Sequence, residues 1–196
     1  MAIEWPEVNL GDVAADLTVG HVGSMASEYV PTGVPFLRSL NVQPFRIVQT
    51  EMRFISPAFH SRLRKSALRP GDVVVVRTGK PGSAAMIPDW LPNANCSDLV
   101  IIRPGDKLDA RFLVYYINSA AAHHVSAHLV GAVQQHFNVE SARSLRIRLP
   151  SLSVQQGIGN ALGCLDDKLE LNRQMNETLE AMARAHFREV IETDGQ

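Results

Sequence analysis

The sequence has only two cysteines in 196 residues, Cys96 and Cys164, which lie far apart in unlike contexts. They are too few for a disulfide framework or a cysteine-based metal site, so we expect both to be free thiols. No run of about 18 apolar residues occurs, and the N-terminal segment lacks the basic start and apolar core of a secretion signal. These absences predict a cytoplasmic protein that does not insert into a membrane.

Catalytic motifs are also missing. A phosphate-binding loop needs a glycine five residues before the Gly79-Lys80 pair, and Val74 stands there. The sequence contains no nucleophile elbow, zinc-protease motif, paired CxxC or dinucleotide fingerprint. His124 and His128 are spaced to share a helix face, but no third ligand accompanies them. The sequence therefore predicts no catalytic residue, no metal and no cofactor.

The net charge of −1 hides an uneven distribution. Residues 1–150 contain 15 Lys and Arg against 12 Asp and Glu, whereas residues 151–196 contain 4 against 8. The strongest bias lies between Arg38 and Lys80, where nine basic residues accompany only Glu51 and Asp72. This segment is compatible with a positive patch that attracts phosphates and equally with scattered, solvated charges.

Residues 1–150 have the pattern of a mixed α/β domain. Apolar runs bounded by Gly or Pro predict strands at 72–77, 97–103 and 145–149, which we expect to pair into one sheet. Helical spacing predicts helices at 110–119 and 120–129. The Gly and Pro residues between positions 20 and 35 predict loops.

After Pro150 the pattern becomes that of one long helix. No proline occurs from Ser153 to about Ile191, and Ser153 with Gln156 fits a capping box at the helix start. Residues at alternating spacings of four and three then form a heptad seam: Ile158, Leu162, Leu165, Leu169, Asn172, Asn176, Leu179, Ala183, His186 and Val190.

A helix of this length, on the order of 57 Å, cannot cover its whole apolar stripe with its own domain, so the seam predicts a partner helix. The alternative is a C-terminal helix that packs only on its own domain. Asn172 and Asn176 lie inside the seam, where polar residues weaken a coiled coil but fix its register.

An ordered series of residues connects this helix to a known family. The series comprises Leu149, Pro150, Leu152, Gln155 or Gln156, Ile158, Leu162, Leu165, Asp166, Asn172, Thr178, Leu179, Glu180, Ala185 and Phe187. It resembles the conserved region of type I restriction-modification specificity subunits. The preceding residues resemble that family's target recognition domain at Trp5, Leu10-Gly11-Asp12, Val34 to Val42, Pro70-Gly71-Asp72, Arg77-Thr78-Gly79, Gly131 and Gln134 or Gln135.

The resemblance implies a non-catalytic subunit that binds double-stranded DNA. It also implies two partner proteins, an N6-adenine methyltransferase (M) subunit and, for cleavage, an ATP-dependent restriction (R) subunit. Family members carry two recognition domains and two helical regions that pair as an antiparallel coiled coil. This sequence has one of each, so we expect a half-subunit, a fragment or a homodimer that pairs through the seam.

Two other classes of function stay open. One is a DNA-modifying enzyme or enzyme fragment, although the adenine-methyltransferase signature of Asn or Asp followed by Pro-Pro and an aromatic residue is missing. The other is a purely structural coiled-coil adaptor, which the basic segment from Arg38 to Lys80 disfavours.

We therefore predict an α/β (α+β) target recognition domain at 1–150, followed by one long helix at 151–196 that pairs as a coiled coil. Arginine, asparagine and glutamine are the usual base readers in the major groove. The candidate DNA contacts in the segments that resemble recognition loops are Arg38, Ser39, Asn41, Arg77, Thr78, Lys80, Gln134, Gln135 and His136. The candidate dimer seam is Ile158, Leu162, Leu165, Leu169, Asn172, Asn176 and Leu179.

Overall fold

The computed structural model of the chain describes residues 4–78, 81–119 and 137–194. The chain divides into two compact units, residues 1–159 and residues 160–196. A mixed α/β domain is followed by a long C-terminal helix, as the sequence predicted. Within the three described ranges, no helix is both long and apolar enough to cross a membrane.

The described residues form short strands and four α-helices. The strands are β1 (Glu7–Asn9), β2 (Ala14–Val19), β3 (Tyr29–Val30), β4 (Val34–Leu37), β5 (Val42–Gln43), β6 (Arg46–Ile47), β7 (Arg53–Ile55), β8 (Ala67–Leu68), β9 (Val73–Val76), β10 (Ala84–Met86), β11 (Ala94–Cys96), β12 (Leu99–Pro104) and β13 (Arg146–Arg148). The helices are α1 (Pro57–Arg62), α2 (Ala110–Asn118), α3 (Val139–Arg143) and α4 (Leu152–Asp194).

Two larger sheets organise the first unit. One is antiparallel, with the strand order β10-β9-β12-β2, and the other has the order β3-β7-β4-β11-β8 with β4 and β11 parallel. Two small ribbons, β1-β13 and β5-β6, complete the described strands.

Strand β9 shows why its sequence is a continuous apolar run. Val73 and Val75 contact a core cluster that includes side chains of α2, whereas Val74 and Val76 contact a second cluster that includes residues of β4 and β11. All four valines are at most 2% exposed. A strand that is covered on both faces reads as unbroken hydrophobic sequence rather than as an alternation.

Several predicted elements differ from the structure. The strand predicted at 145–149 exists as β13, but it pairs with β1 rather than with β9 and β12. The segment from 20 to 35, predicted as loops, contains β3 and the start of β4, because these short strands are stabilised by their neighbours in the sheet. The helix predicted at 120–129 lies outside the described residues.

Helix α4 begins at Leu152, so Ser153 lies inside its first turn rather than at the N-cap of the predicted capping box. The buried glutamine of this turn is Gln155, whereas Gln156 is exposed. The Gln155 amide accepts a hydrogen bond from Asp109 N (2.9 Å) and donates to the carbonyl oxygens of Lys107 (3.0 Å) and Pro150 (2.9 Å). The amide is fully buried, so it ties the first turn of α4 to the residues that precede α2.

We expect Gln155→Met to lower the free energy of unfolding of the first unit by about 2 kcal/mol or more, because it removes a buried amide and leaves its three backbone partners without that hydrogen bond. Gln156→Met is the matched control, since Gln156 is exposed, and should change stability by no more than about 0.5 kcal/mol. Denaturant titration measures both. Equal effects of the two substitutions would contradict this role of Gln155.

Candidate nucleic-acid interface

Four strands of the first unit end beside one another. Strands β2 and β9 are both antiparallel to β12, and they end next to Leu99, whose carbonyl accepts from Gly20 N (2.8 Å) and which pairs with Val76. Strand β4 is parallel to β11, and Ser97 N donates to Leu37 O just beyond their ends (3.0 Å). The residues that follow β2, β4, β9 and β11 therefore share one edge, which we call the strand-end edge.

Arg77 follows β9 at this edge and is held by a carboxylate. Its Nη1 donates to Asp98 Oδ1 at 2.8 Å, and the Thr78 hydroxyl donates to Asp98 Oδ2 at 3.1 Å. Asp98 lies in the short connection between β11 and β12. Two adjacent residues of the candidate set are thus oriented by a single acid that sequence reasoning did not identify.

Arg38 follows β4 at the same edge and is held in a similar way. Its Nη2 donates to the backbone carbonyl of Glu51 at 2.6 Å, and the Glu51 carboxylate lies 3.9 Å away. The register of β4 and β11 brings this position close to the connection that carries Asp98. The structure therefore gathers the predicted residues Arg38, Arg77 and Thr78 at one edge.

The two acceptors share an unusual backbone conformation. Asp98 has φ +50° and Glu51 has φ +48°, both in the left-handed region that residues other than glycine seldom adopt. Such conformations cost free energy and persist where surrounding contacts fix them, often at functional sites. Each predicted arginine is therefore oriented by a residue whose own backbone is strained.

The two arginine side chains are largely enclosed by the protein. They are only 23% and 21% exposed, and in each the buried Nε–H has no acceptor. A guanidinium carries five N–H donors in a rigid fork that matches phosphate and guanine acceptors. A fork held in place loses little conformational entropy when it binds such an acceptor.

Asn41 and Ser39 have different environments. Asn41 is fully buried, accepts from Arg38 N (3.0 Å) and donates to the carbonyl oxygens of Val48 (3.2 Å) and Thr50 (2.9 Å). Its amide therefore supports the loop after β4 instead of facing outward. Ser39 is half-buried in the 3₁₀ turn that follows Arg38.

A cleft of about 390 Å³ lies beside Arg77. It is lined by Val19, Arg77, Asn138, Val139, Glu140 and Arg143. Arg143 is 52% exposed, and its Nε lies 4.0 Å from the carboxylate of Glu140. The cleft thus brings Arg77 together with a second arginine, from α3, that is absent from the predicted set.

The position of Arg143 depends on a glycine in the first turn of the domain. A Cβ on Gly11 would lie 2.5 Å from Arg143 Cγ and 3.1 Å from its carbonyl oxygen, so a larger residue would push α3 away. Gly11 belongs to the Leu10-Gly11-Asp12 motif noted in the sequence. That motif was the sequence signal that could have pointed to this position. It did not indicate that Arg143 lies against the glycine.

The remaining candidate DNA contacts, Lys80, Gln134, Gln135 and His136, lie outside the described residues. The candidate seam is described over its whole length. Ile158 packs against the core of the first unit, so the exposed part of the seam begins at Leu162. Beyond it Leu165, Leu169 and Leu179 are 59%, 67% and 57% exposed.

Comparisons with known proteins agree with this architecture. The HindI type I restriction enzyme specificity subunit of Haemophilus influenzae is 25% identical over 194 residues, which cover 94% of this chain and 40% of that subunit. The chain thus spans about 40% of the length of this curated relative.

Solved structures share the fold. The HsdS subunit from Thermoanaerobacter tengcongensis superposes with a TM-score of 0.61 at 22% identity, over 87% of this chain and 39% of that one. The S subunit of a type I restriction-modification system from M. genitalium gives a TM-score of 0.64 at 12% identity, over 92% of this chain and 44% of that one.

The sequence profile of one family covers nearly the whole chain. It is described as the type I restriction modification DNA specificity domain, and it matches residues 3–181. The match spans the sheet-rich unit, the strand-end edge and most of α4, and it confirms the resemblance seen in the sequence. The chain belongs to the family of type I restriction-modification DNA specificity domains.

Proposed function

We propose that this chain is a non-catalytic DNA-recognition subunit that directs an N6-adenine methyltransferase subunit to its target in the cytoplasm. For cleavage it would direct a restriction subunit in the same way. The observation that carries the proposal is the pair of arginines, Arg38 and Arg77, each oriented by its own acceptor at the strand-end edge of a specificity-family domain. Pre-oriented guanidinium groups favour one arrangement of acceptors over others, which is the requirement for reading a sequence.

The proposed contact set follows the geometry. Arg38, Arg77, Ser39 and Thr78 remain in it, and Arg143 joins it because it lines the same cleft as Arg77. Asn41 is removed from the proposed contact set, because its amide is buried and hydrogen-bonded within the loop. Lys80, Gln134, Gln135 and His136 stay candidates on their sequence positions alone.

Assembly is the second part of the proposal. The exposed leucines of α4 favour association with another surface, because each Å² of apolar area removed from water stabilises the complex by about 25 cal/mol. We propose that a second copy of the chain buries these leucines, with the two helices antiparallel. Two identical recognition domains related by a two-fold axis favour an inverted-repeat target with a fixed gap.

Arg77→Ala should weaken binding to a target duplex selected from random DNA by about 1–3 kcal/mol, because a base contact is lost. Binding to unrelated duplexes should change much less. Arg184→Ala is the control, since it removes the same charge from an exposed site on α4. Fluorescence anisotropy on both duplexes measures the effect. Absence of DNA binding by the unmodified chain would favour the structural adaptor, and equal losses for the two variants would move the interface elsewhere.

Asp98→Asn should separate affinity from specificity. Losing the carboxylate releases Arg77 and removes a negative charge near the proposed DNA surface, so unrelated duplexes should bind more tightly while the preference for the selected target falls. Asp106→Asn is the matched control, because Asp106 is an exposed acid just beyond the opposite end of β12. An unchanged ratio of target to unrelated binding for Asp98→Asn would contradict an orienting role for the acid.

The purified chain should transfer no methyl group to DNA and should cleave none, whether S-adenosylmethionine, ATP or Mg²⁺ is supplied. Incorporation of labelled methyl groups and gel analysis of a plasmid provide the measurement. Methyl transfer by the chain without any other protein would contradict its assignment as a recognition subunit and favour the enzyme alternative.

A further inference from the structure

Helix α4 presents a heptad seam that is polar at its middle. In the conventional lettering the d positions are Leu165, Asn172, Leu179 and His186, and the a positions are Leu162, Leu169, Asn176 and Ala183. All eight residues are exposed in the isolated chain. In an antiparallel coiled coil each a residue faces a d residue of the other helix.

We infer that two copies of the chain pair antiparallel through this seam, with the two-fold axis beside Gln174 and Asn172 facing the partner's Asn176. The inference rests on the antiparallel homodimer of the proposed function and adds its register. About this centre Leu169 faces the partner's Leu179, Leu165 faces the partner's Ala183 and Leu162 faces the partner's His186.

The two asparagines define this centre because they occupy neighbouring d and a positions. Only with the axis midway between them does each asparagine meet an asparagine, so that both amides can bond across the interface. A shift of one heptad in one direction places Asn176 against the partner's Leu179 and Asn172 against the partner's Ala183. A shift in the other direction places both asparagines against leucines. A buried amide without a partner is costly, and a polar seam residue selects register for this reason.

Charges beside the seam act against the proposed register, but only weakly: Arg173 lies opposite the partner's Arg173, and Asp166 lies opposite the partner's Glu180. The shift that pairs Asn176 with the partner's Leu179 also brings Arg173 towards the partner's Glu180. Arg173 already contacts Glu170 (2.7 Å) and Glu177, and Arg184 lies 3.4 Å from Glu180 in the same helix. The shift would exchange exposed ion pairs rather than add them, and such pairs contribute less than buried amides without partners cost.

A parallel dimer also matches asparagine with asparagine, but it packs the rest of the seam poorly. It stacks Ala183 on Ala183 and His186 on His186, which gives one thin layer and one crowded polar layer. The antiparallel register instead places a leucine opposite each of these two residues, so that large and small side chains alternate.

The chain itself indicates that the partner is a second copy. The seam is complementary to itself about one point, a property that the seams of two different helices do not need. Met175, which is 53% exposed, flanks the proposed axis and would be covered by the partner's Met175.

The test is disulfide cross-linking of the 196-residue chain with Cys164→Ser, since Cys164 is exposed whereas Cys96 is buried and burial raises the pKa of its thiol. Leu169→Cys and Leu179→Cys versions are mixed, allowed to exchange and oxidised. We expect interchain disulfides in the mixture, in roughly the statistical proportion. Neither version alone should cross-link, because identical positions lie about 15 Å apart along the axis.

Other outcomes overturn different parts of the inference. Disulfides in each version alone would indicate parallel pairing, and disulfides between Asn176→Cys and Leu179→Cys versions would indicate the shifted register. Either result overturns the register and leaves the homodimer standing. A strict monomer in sedimentation at high micromolar concentration overturns the homodimer. DNA recognition is tested independently by the fluorescence anisotropy measurements, so its failure can be told apart from failure of the homodimer.

A second cysteine position serves if the leucine variants fail to dimerise. Met175→Cys, beside the seam, should be joined to the partner's identical cysteine by a short bifunctional maleimide. Met182→Cys is its matched control and should not be joined to itself. Equal yields for the two variants would overturn the register.

Discussion

The fold depends on the burial of β9 and β12 on both faces. Four consecutive valines in β9 and four apolar residues from Leu99 to Ile102 in β12 are at most 2% exposed. Strands covered on both sides can carry no ligand-binding side chain along their length. Polar function is therefore confined to the strand ends, and the two arginines stand at one such end.

How far the sequence predicted this structure depends on the range of the interactions. The apolar runs of β9 and β12, helix α2 and the long helix α4 were recognised because their signals are local and strong. Strands β3 and β4 were missed because each is short and is stabilised by neighbours distant in sequence. The separate pairing of β13 with β1 is likewise a long-range contact that no local pattern records.

The candidate site was predicted in part for the same reason. Arg38 and Arg77 were identified by residue type and resemblance, but their acceptors were not. Left-handed backbone at Asp98 and Glu51 leaves no trace in the sequence, since acidic residues are common in loops of every conformation. The buried role of Asn41 was equally hidden, because an amide that caps a loop and an amide that reads a base look identical in sequence.

The central claim is that the chain selects the DNA sequence on which a methyltransferase acts. Mapping N6-methyladenine across a genome after co-expression with a methyltransferase subunit tests this claim most directly. We expect methylation at one inverted-repeat sequence with a fixed gap, and we expect it to be lost when the chain is omitted. Methylation at the same sites without the chain, or none in its presence, would contradict the claim.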